Sequence, residues 1–144
     1  MSGHFSAMDI SASGLSAERL RMEITANNIA NASTTRTEDG EPYRRQAVVF
    51  SAVMDRVSSN SQAGENRGVE VVGIESDMTE FPVVYNPGHP HADEKGFVKL
   101  SNVKIPDEMV DLITASRSYE ANARAITLFR EMVEQTLSLL QGGQ

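Results

Sequence analysis

The sequence lacks cysteine and tryptophan altogether and is poor in aromatics, which make up 6% of its 144 residues. Without cysteine there are no disulfide staples, no thiolate nucleophile and no Cys-based zinc site. The same absence leaves the redox compartment open, because a Cys-free chain tolerates oxidising and reducing surroundings alike. With so few aromatics, any single compact core is modest. Basic residues are also scarce: 13 Lys+Arg face 20 Asp+Glu, for a net charge of −7. That balance argues against nucleic acid, whose phosphate backbone is bound by clustered Lys and Arg that displace counterions. No apolar run reaches the length of a membrane span. The first residues, Met1 to Asp9, have neither a basic n-region nor a continuous apolar stretch, so they do not read as a cleavable secretory signal. Together these absences predict a chain that is soluble and cytoplasmic, or exported by a route that reads no such signal. The length fits one domain.

What the sequence does contain is heptads at both ends. Met8, Leu15, Met22 and Ile29 recur every seven residues, with Phe5, Ala12 and Ala26 three positions ahead of three of them. This a/d pattern predicts a helix from about Phe5 to Ile29. It runs out in Ser33–Gly40, which has loop composition. At the other end Ile105, Leu112, Tyr119, Ile126, Val133 and Leu140 form an unbroken seven-residue series, with Met109, Ala123 and Leu137 in a second row. Pro106 suits a first helical turn, and Asp107, Glu108 and Asp111 place negative charge at the positive end of the helix dipole. Gly142 and Gly143 end the pattern. Pro106 to Leu140 would span roughly 50 Å at about 1.5 Å per residue. A helix that long in so short a chain needs partners to cover it.

The middle reads as a small β region of two or three strands. Arg45–Val53 and Val69–Ile74 are rich in β-branched residues, and Phe81–Tyr85 is a third run in which Pro82 marks an edge or a strand start. The polar stretch Ser58–Asn66 between the first two reads as a loop. The fold class expected is therefore mainly α with a small β region, divided as 1–33 (N-terminal helix), 34–104 (middle β and loops) and 105–144 (C-terminal helix).

Little in the chain suggests chemistry. His89 and His91 with Asp93 and Glu94 are the one metal-like cluster. Pro87-Gly88 and the proline between the histidines instead mark a stiff surface turn with no rigid element to aim ligands. There is no Gly-x-Ser-x-Gly elbow and no Gly-rich phosphate loop after a strand. No catalytic residue, metal ligand or cofactor is assigned. Asn27, Asn28 and Asn31 crowd one helical turn. The plain reading is a helix end with Asn31 near the cap, the commoner use of asparagine. The alternative uses the amide, both donor and acceptor, to set register against neighbouring helices. In the C-terminal segment Glu120 can pair with Arg124, and Ser116 and Ala123 are small enough for close helix approach.

Ala26–Ala32, with its Asn-Asn-Ile-Ala-Asn core, resembles the N-terminal signature of flagellar rod and hook proteins. The likeness narrows with Thr34–Arg45, with Tyr85–Pro90, and with Ala92-Asp93, Gly96-Phe97-Val98 and Asn102-Val103. It closes on Glu108–Ile113 leading into Ala115–Asn122. In order and over nearly the whole chain, these blocks are similar to flagellar basal-body rod proteins of the FlgC type, subunits of the proximal rod. Phe97 stands where tyrosine is common, Ser101 where proline is common and His91 where aspartate is frequent. These packing and turn substitutions leave the resemblance intact.

The resemblance implies a structural subunit, not an enzyme, exported without a cleavable signal through the flagellar type III apparatus. It implies assembly in the rod that crosses the periplasm, as part of the drive shaft from membrane ring to hook. Implied partners are other copies of the chain, neighbouring rod proteins and membrane-ring and rod-base adaptor proteins. The heptads agree with such packing. The expected subunit-interface residues are Met8, Leu15, Met22 and Ile29 against Met109, Leu112, Tyr119, Ile126 and Val133, with Asn27, Asn28, Asn31 and Asn122 as polar contacts. The competing readings are another rod or hook axial subunit, a coiled-coil export adaptor, and an enzyme using His89, His91 and Asp93.

Overall fold

The computed structural model describes residues 2–54 and 66–141. Helix α1 spans Ser2–Ala30, strands β1 and β2 span Gln46–Met54 and Asn66–Ser76, β3 and β4 span Val83–Tyr85 and Phe97–Lys99, and helix α2 spans Ile105–Gln141. The expected class, mainly helical with a small β part, is what the chain adopts. Pro106 lies in the first turn of α2 together with Asp107 and Glu108, as the dipole argument predicts. The strands form two two-stranded sheets, β1–β2 and β3–β4. The fourth strand was not expected: Phe97–Lys99 is only three residues long and carries too little pattern to stand out. The loop Ser58–Asn66, except for its last residue, and the terminal Gly142-Gly143 lie outside the described residues.

Helix α1 stops where its asparagines take over the hydrogen bonding. The Asn31 amide nitrogen donates to the Asn27 carbonyl (3.0 Å) and to Asn27 Oδ1 (2.7 Å), and Thr34 N–H closes on the Asn31 carbonyl (3.0 Å). Orphan groups at the helix end are thereby satisfied locally. Asn31 is a cap, as the plain reading has it.

The chain divides into two compact units, one of Met1–Arg19, Phe50–Val72 and Ala115–Gln144, the other of Leu20–Val49 and Gly73–Thr114. In the first, the buried residues are small: Ser11, Ala17, Gly68 and Ala115. A Cβ on Gly14 would sit 2.8 Å from the Asn122 amide nitrogen, so a larger residue there requires the Asn122 side chain to move aside. Ser13 Oγ donates to the Ile10 carbonyl (2.7 Å) and accepts the Val69 N–H (3.1 Å), which ties β2 to α1. Met8, Ile10 and Leu15, large apolar residues of this part of α1, are only half-buried.

In the second unit Val98 is buried at the centre of the β3–β4 hairpin opposite Val84, and Pro42 is buried as well. The hairpin tip is built from its own polar groups. Asp93 Oδ1 accepts the N–H groups of Lys95 (2.9 Å) and Phe97 (2.8 Å), and Asn86 N–H reaches the Gly96 carbonyl (2.8 Å). Gly96 takes φ 82°, a left-handed conformation, with Tyr85 and Pro87 so near that a Cβ would meet both.

Candidate assembly surface and its polar anchor

The deepest side chains of the second unit are polar. Asn28, near the end of α1, and Glu108, in the first turn of α2, are each 1% exposed. Asn28 uses its whole hydrogen-bonding inventory. Its Nδ2 donates to the Gln46 carbonyl (2.8 Å) and to Glu108 Oε2 (2.9 Å), while its Oδ1 accepts the Tyr43 hydroxyl (2.9 Å) and the Gln46 N–H (3.0 Å). Two donors and two lone pairs are thus all engaged. The amide pins the end of one helix, the start of the other and the first residue of β1 to one another. Of the two sequence readings for the asparagines, Asn31 takes the cap and Asn28 the register-setting amide, with partners inside the chain.

Glu108 is held from its other side by Arg45, whose Nε donates to Oε1 at 2.6 Å while its Nη2 reaches Asp111 Oδ2 at 3.2 Å. Burial disfavours the Arg45 cation, but the hydrogen bond to Glu108 and the charges of Glu108, Asp111 and Asp77 outweigh it and raise its pKa. Burial, with the Glu108 charge nearby, likewise raises the Tyr43 phenol above its ordinary value. Removing one member of a pair this buried costs about 3–5 kcal/mol in general, because it strands the other. Arg45 is a quarter exposed and keeps Asp111, so this pair belongs at the lower end.

A second polar layer extends the anchor. Asn102 Oδ1 accepts the Arg45 N–H (2.7 Å), and its Nδ2 donates to the Asp77 carbonyl and to Thr79 Oγ1, each at 3.0 Å. Arg44 Nη1 donates to the carbonyls of Asp77 and Thr79, each at 3.1 Å, with the guanidinium stacked 4.2 Å over the Phe81 ring. Asp77 is held below its ordinary pKa by hydrogen bonds from the Thr79 backbone and side chain, then by Arg45 and Arg44. Sequence reasoning missed Tyr43, Arg45, Asn102 and Asp77, and read Glu108 only as a dipole partner. For Glu108 a signal was present: it lies four residues before Leu112 and seven before Ala115, on the inward stripe of α2.

The apolar rows fare differently along α2. Leu112, Tyr119 and Ile126 are half-buried and Asn122 lies against Gly14. Ile105, Met109, Val133, Leu137 and Leu140 are 41–68% exposed. On α1, Met22 and Ile29 are half-buried and Asn27 is exposed, while the Phe5 side chain lies outside the described ones. The predicted interface residues thus fall into buried in-chain contacts at Asn28, half-covered seam positions, and exposed positions at Asn27, Met109 and Val133, the last on an open stripe that continues through Leu137 and Leu140.

The histidines are occupied with holding their loop. His91 Nδ1 is 2.8 Å from Thr35 Oγ1, His89 Nδ1 accepts the His91 N–H (3.1 Å), and the two rings meet edge to face. Among the described residues no three His, Asp or Glu side chains gather where a metal could bind. No helix is long and apolar enough to cross a membrane among the described residues.

Two family models match the chain: one described as flagella basal body rod protein over residues 8–36, and one described as flagellar basal body rod FlgEFG protein C-terminal over 94–139. They coincide with most of α1 and α2. The chain is 41% identical to the flagellar basal-body rod protein FlgC of Borreliella burgdorferi, covering 97% of this chain and 99% of that one. It is 43% identical to the protein of the same name from Aquifex aeolicus, over 92% of this chain and 93% of that one. A similar likeness, 38% identity, extends to the one from Salmonella typhimurium, with coverage of 92% and 95%.

Proposed function

Because this chain belongs to the FlgC family of flagellar basal-body rod proteins, we propose that it polymerises through its terminal helices into the proximal part of the rod. It is a structural rod subunit of the basal body. The observation that carries the assembly reading is the open apolar stripe on α2, where Val133, Leu137 and Leu140 stand exposed in a helix of 37 residues. Fully burying a side chain of this size yields about 1.5–3 kcal/mol, so a few such contacts per neighbour suffice to hold a polymer. Side-by-side copies bury the stripe against the helices of their neighbours.

In this reading residues 1–33 and 105–144 are the axial core and 34–104 the middle region. The interface side chains are Met8, Leu15, Met22 and Ile29 with Met109, Leu112, Tyr119, Ile126 and Val133, and Asn27, Asn31 and Asn122 are polar contacts along it. Asn28 acts one step back, fixing the geometry at which the two helices leave the polar anchor. Torque passes through interdigitated side chains from membrane ring to hook. The chain reaches the periplasm through the flagellar type III apparatus. Its partners are other copies, neighbouring rod proteins, and membrane-ring and rod-base adaptors. It performs no catalysis.

The test is electron microscopy of basal bodies from a strain lacking the gene. Rings without a rod, with the rod restored by the intact gene, support the proposal. Complete rods and hooks in its absence overturn it.

A further inference from the structure

The second unit carries two surface features that the helices do not explain. One is a knob. Met78 is 79% exposed, yet its backbone is held firmly. Arg44 and Asn102 both bind the Asp77 carbonyl, Arg44 also binds that of Thr79, and Asp77 Oδ1 accepts the Thr79 N–H at 3.0 Å. An exposed methionine on a free loop would be unremarkable. This one is fixed in place and flanked by the exposed acids Glu75 and Glu80. An apolar side chain pre-ordered in this way loses little entropy when a partner covers it.

The other feature is a groove of about 630 Å³ lined by apolar Pro42, Val83, Pro90 and Phe97, by the cations Arg36 and Lys99, and by one acid, Asp93, whose Oδ1 already accepts two backbone N–H groups of the turn. Neither cation has an ion-pair partner among the described residues, in a chain whose net charge is −7. Val83 and Phe97 are exposed at 56% and 42%. The groove adjoins an open sheet edge. Bonds from Asn86 N–H to the Gly96 carbonyl and from Leu100 N–H to the Pro82 carbonyl make Val84 and Val98 a hydrogen-bonded pair. The backbone groups of Val83 and Tyr85 therefore point away from β4. On the β4 side, Phe97 is already capped by Asp93, through Asp93 N–H to the Phe97 carbonyl at 2.8 Å and Phe97 N–H to Asp93 Oδ1. The β4 edge is closed at Phe97, whereas Val83 and Tyr85 have no backbone partner on their outer side among the described residues, and an open apolar edge is something proteins otherwise avoid.

We propose that the groove receives the Met78 knob of a second copy of this chain, with Glu75 and Glu80 against Arg36 and Lys99. The inference rests on the reading of the chain as a polymerising subunit and adds a contact outside its terminal helices. Acid against base and knob against apolar lining match in chemistry. They occupy different patches, so the contact is head-to-tail and repeats around a ring or along a helix instead of closing into a dimer.

The test replaces Met78 with photo-reactive p-benzoylphenylalanine in the full chain, in cells assembling flagella. Irradiation yields a product of twice the chain mass whose joined peptide comes from residues 35–42 or 83–99. Lys99→Glu reduces its yield by up to about five-fold, the scale of an exposed ion pair, and Glu80→Lys in the same chain restores it. A product with a different polypeptide, a link to another region, or no product overturns the proposal. Recovery of the tagged chain in purified basal bodies scores the rod reading separately, so the two can fail independently.

Discussion

Replacing Asn28 with aspartate changes one NH2 group to an oxygen and adds no bulk. It leaves the two bonds accepted by Oδ1 and removes the two donated by Nδ2, to the Gln46 carbonyl and to Glu108 Oε2. A neutral hydrogen bond is worth about 1 kcal/mol net and one to a charged group about 1.5–3 kcal/mol. Their loss alone costs about 3 kcal/mol, two decades in the folding equilibrium. The new carboxylate also faces Glu108 at hydrogen-bond distance with no proton between them, so either it protonates or the repulsion adds to the cost. Protonation at low pH returns one donor, and the deficit shrinks accordingly. The assay is urea unfolding of the full chain followed by circular dichroism at about pH 7.5 and about pH 5, read as a change in midpoint at constant slope. Asn27→Asp is the control: it is exposed, one residue away, and keeps the oxygen that accepts from Asn31. It shifts stability by less than about 0.5 kcal/mol. An Asn28→Asp chain as stable as that control at the higher pH refutes the anchor.

Two further outcomes follow from the same geometry. Gly14→Ala pushes the Asn122 amide aside, so the gain of about 1 kcal/mol that alanine has over glycine inside a helix is withheld in thermal melts, whereas in an Asn122→Ala background that gain appears; additive effects would mean the helices do not meet there. Asp77 has a lowered folded pKa, so its contribution is present above the unfolded value near 3.8 and is lost as pH falls through the lower folded value. Asp77→Asn accordingly flattens the acid limb of the melting profile below about pH 4 and leaves its slope near neutrality unchanged; an unaltered acid limb contradicts the assignment.

The helices were legible because a seven-residue apolar period persists through residues 8–29 and 105–140, and no local alternative accommodates it. The Asn-rich end of α1 was legible only in part. A single sequence offers caps and buried amides the same three asparagines, and what separates Asn28 from Asn31 is the arrival of Tyr43, Gln46 and Glu108, up to 80 positions away. Glu108 illustrates the general difficulty. A carboxylate at a helix start always has a dipole explanation, which hides its place on the inward stripe until Arg45 is seen beside it. The short strand β4 escaped notice because its pairing is fixed by the Asp93 turn and not by its own composition. The wider anchor is made of residues from loops, whose meeting depends on tertiary structure and leaves no periodic trace.

The central claim is that the distal face of α2 stays open in the monomer because the assembled rod covers it. Leu137→Asp tests it most directly, since Leu137 is 52% exposed and lies on that open stripe. The variant is compared with the parent for melting temperature in solution and, in a strain lacking the gene, for rods seen by electron microscopy of basal bodies. The account predicts an unchanged melt and no rod. Normal rods from a chain that carries a charge at this position would contradict it.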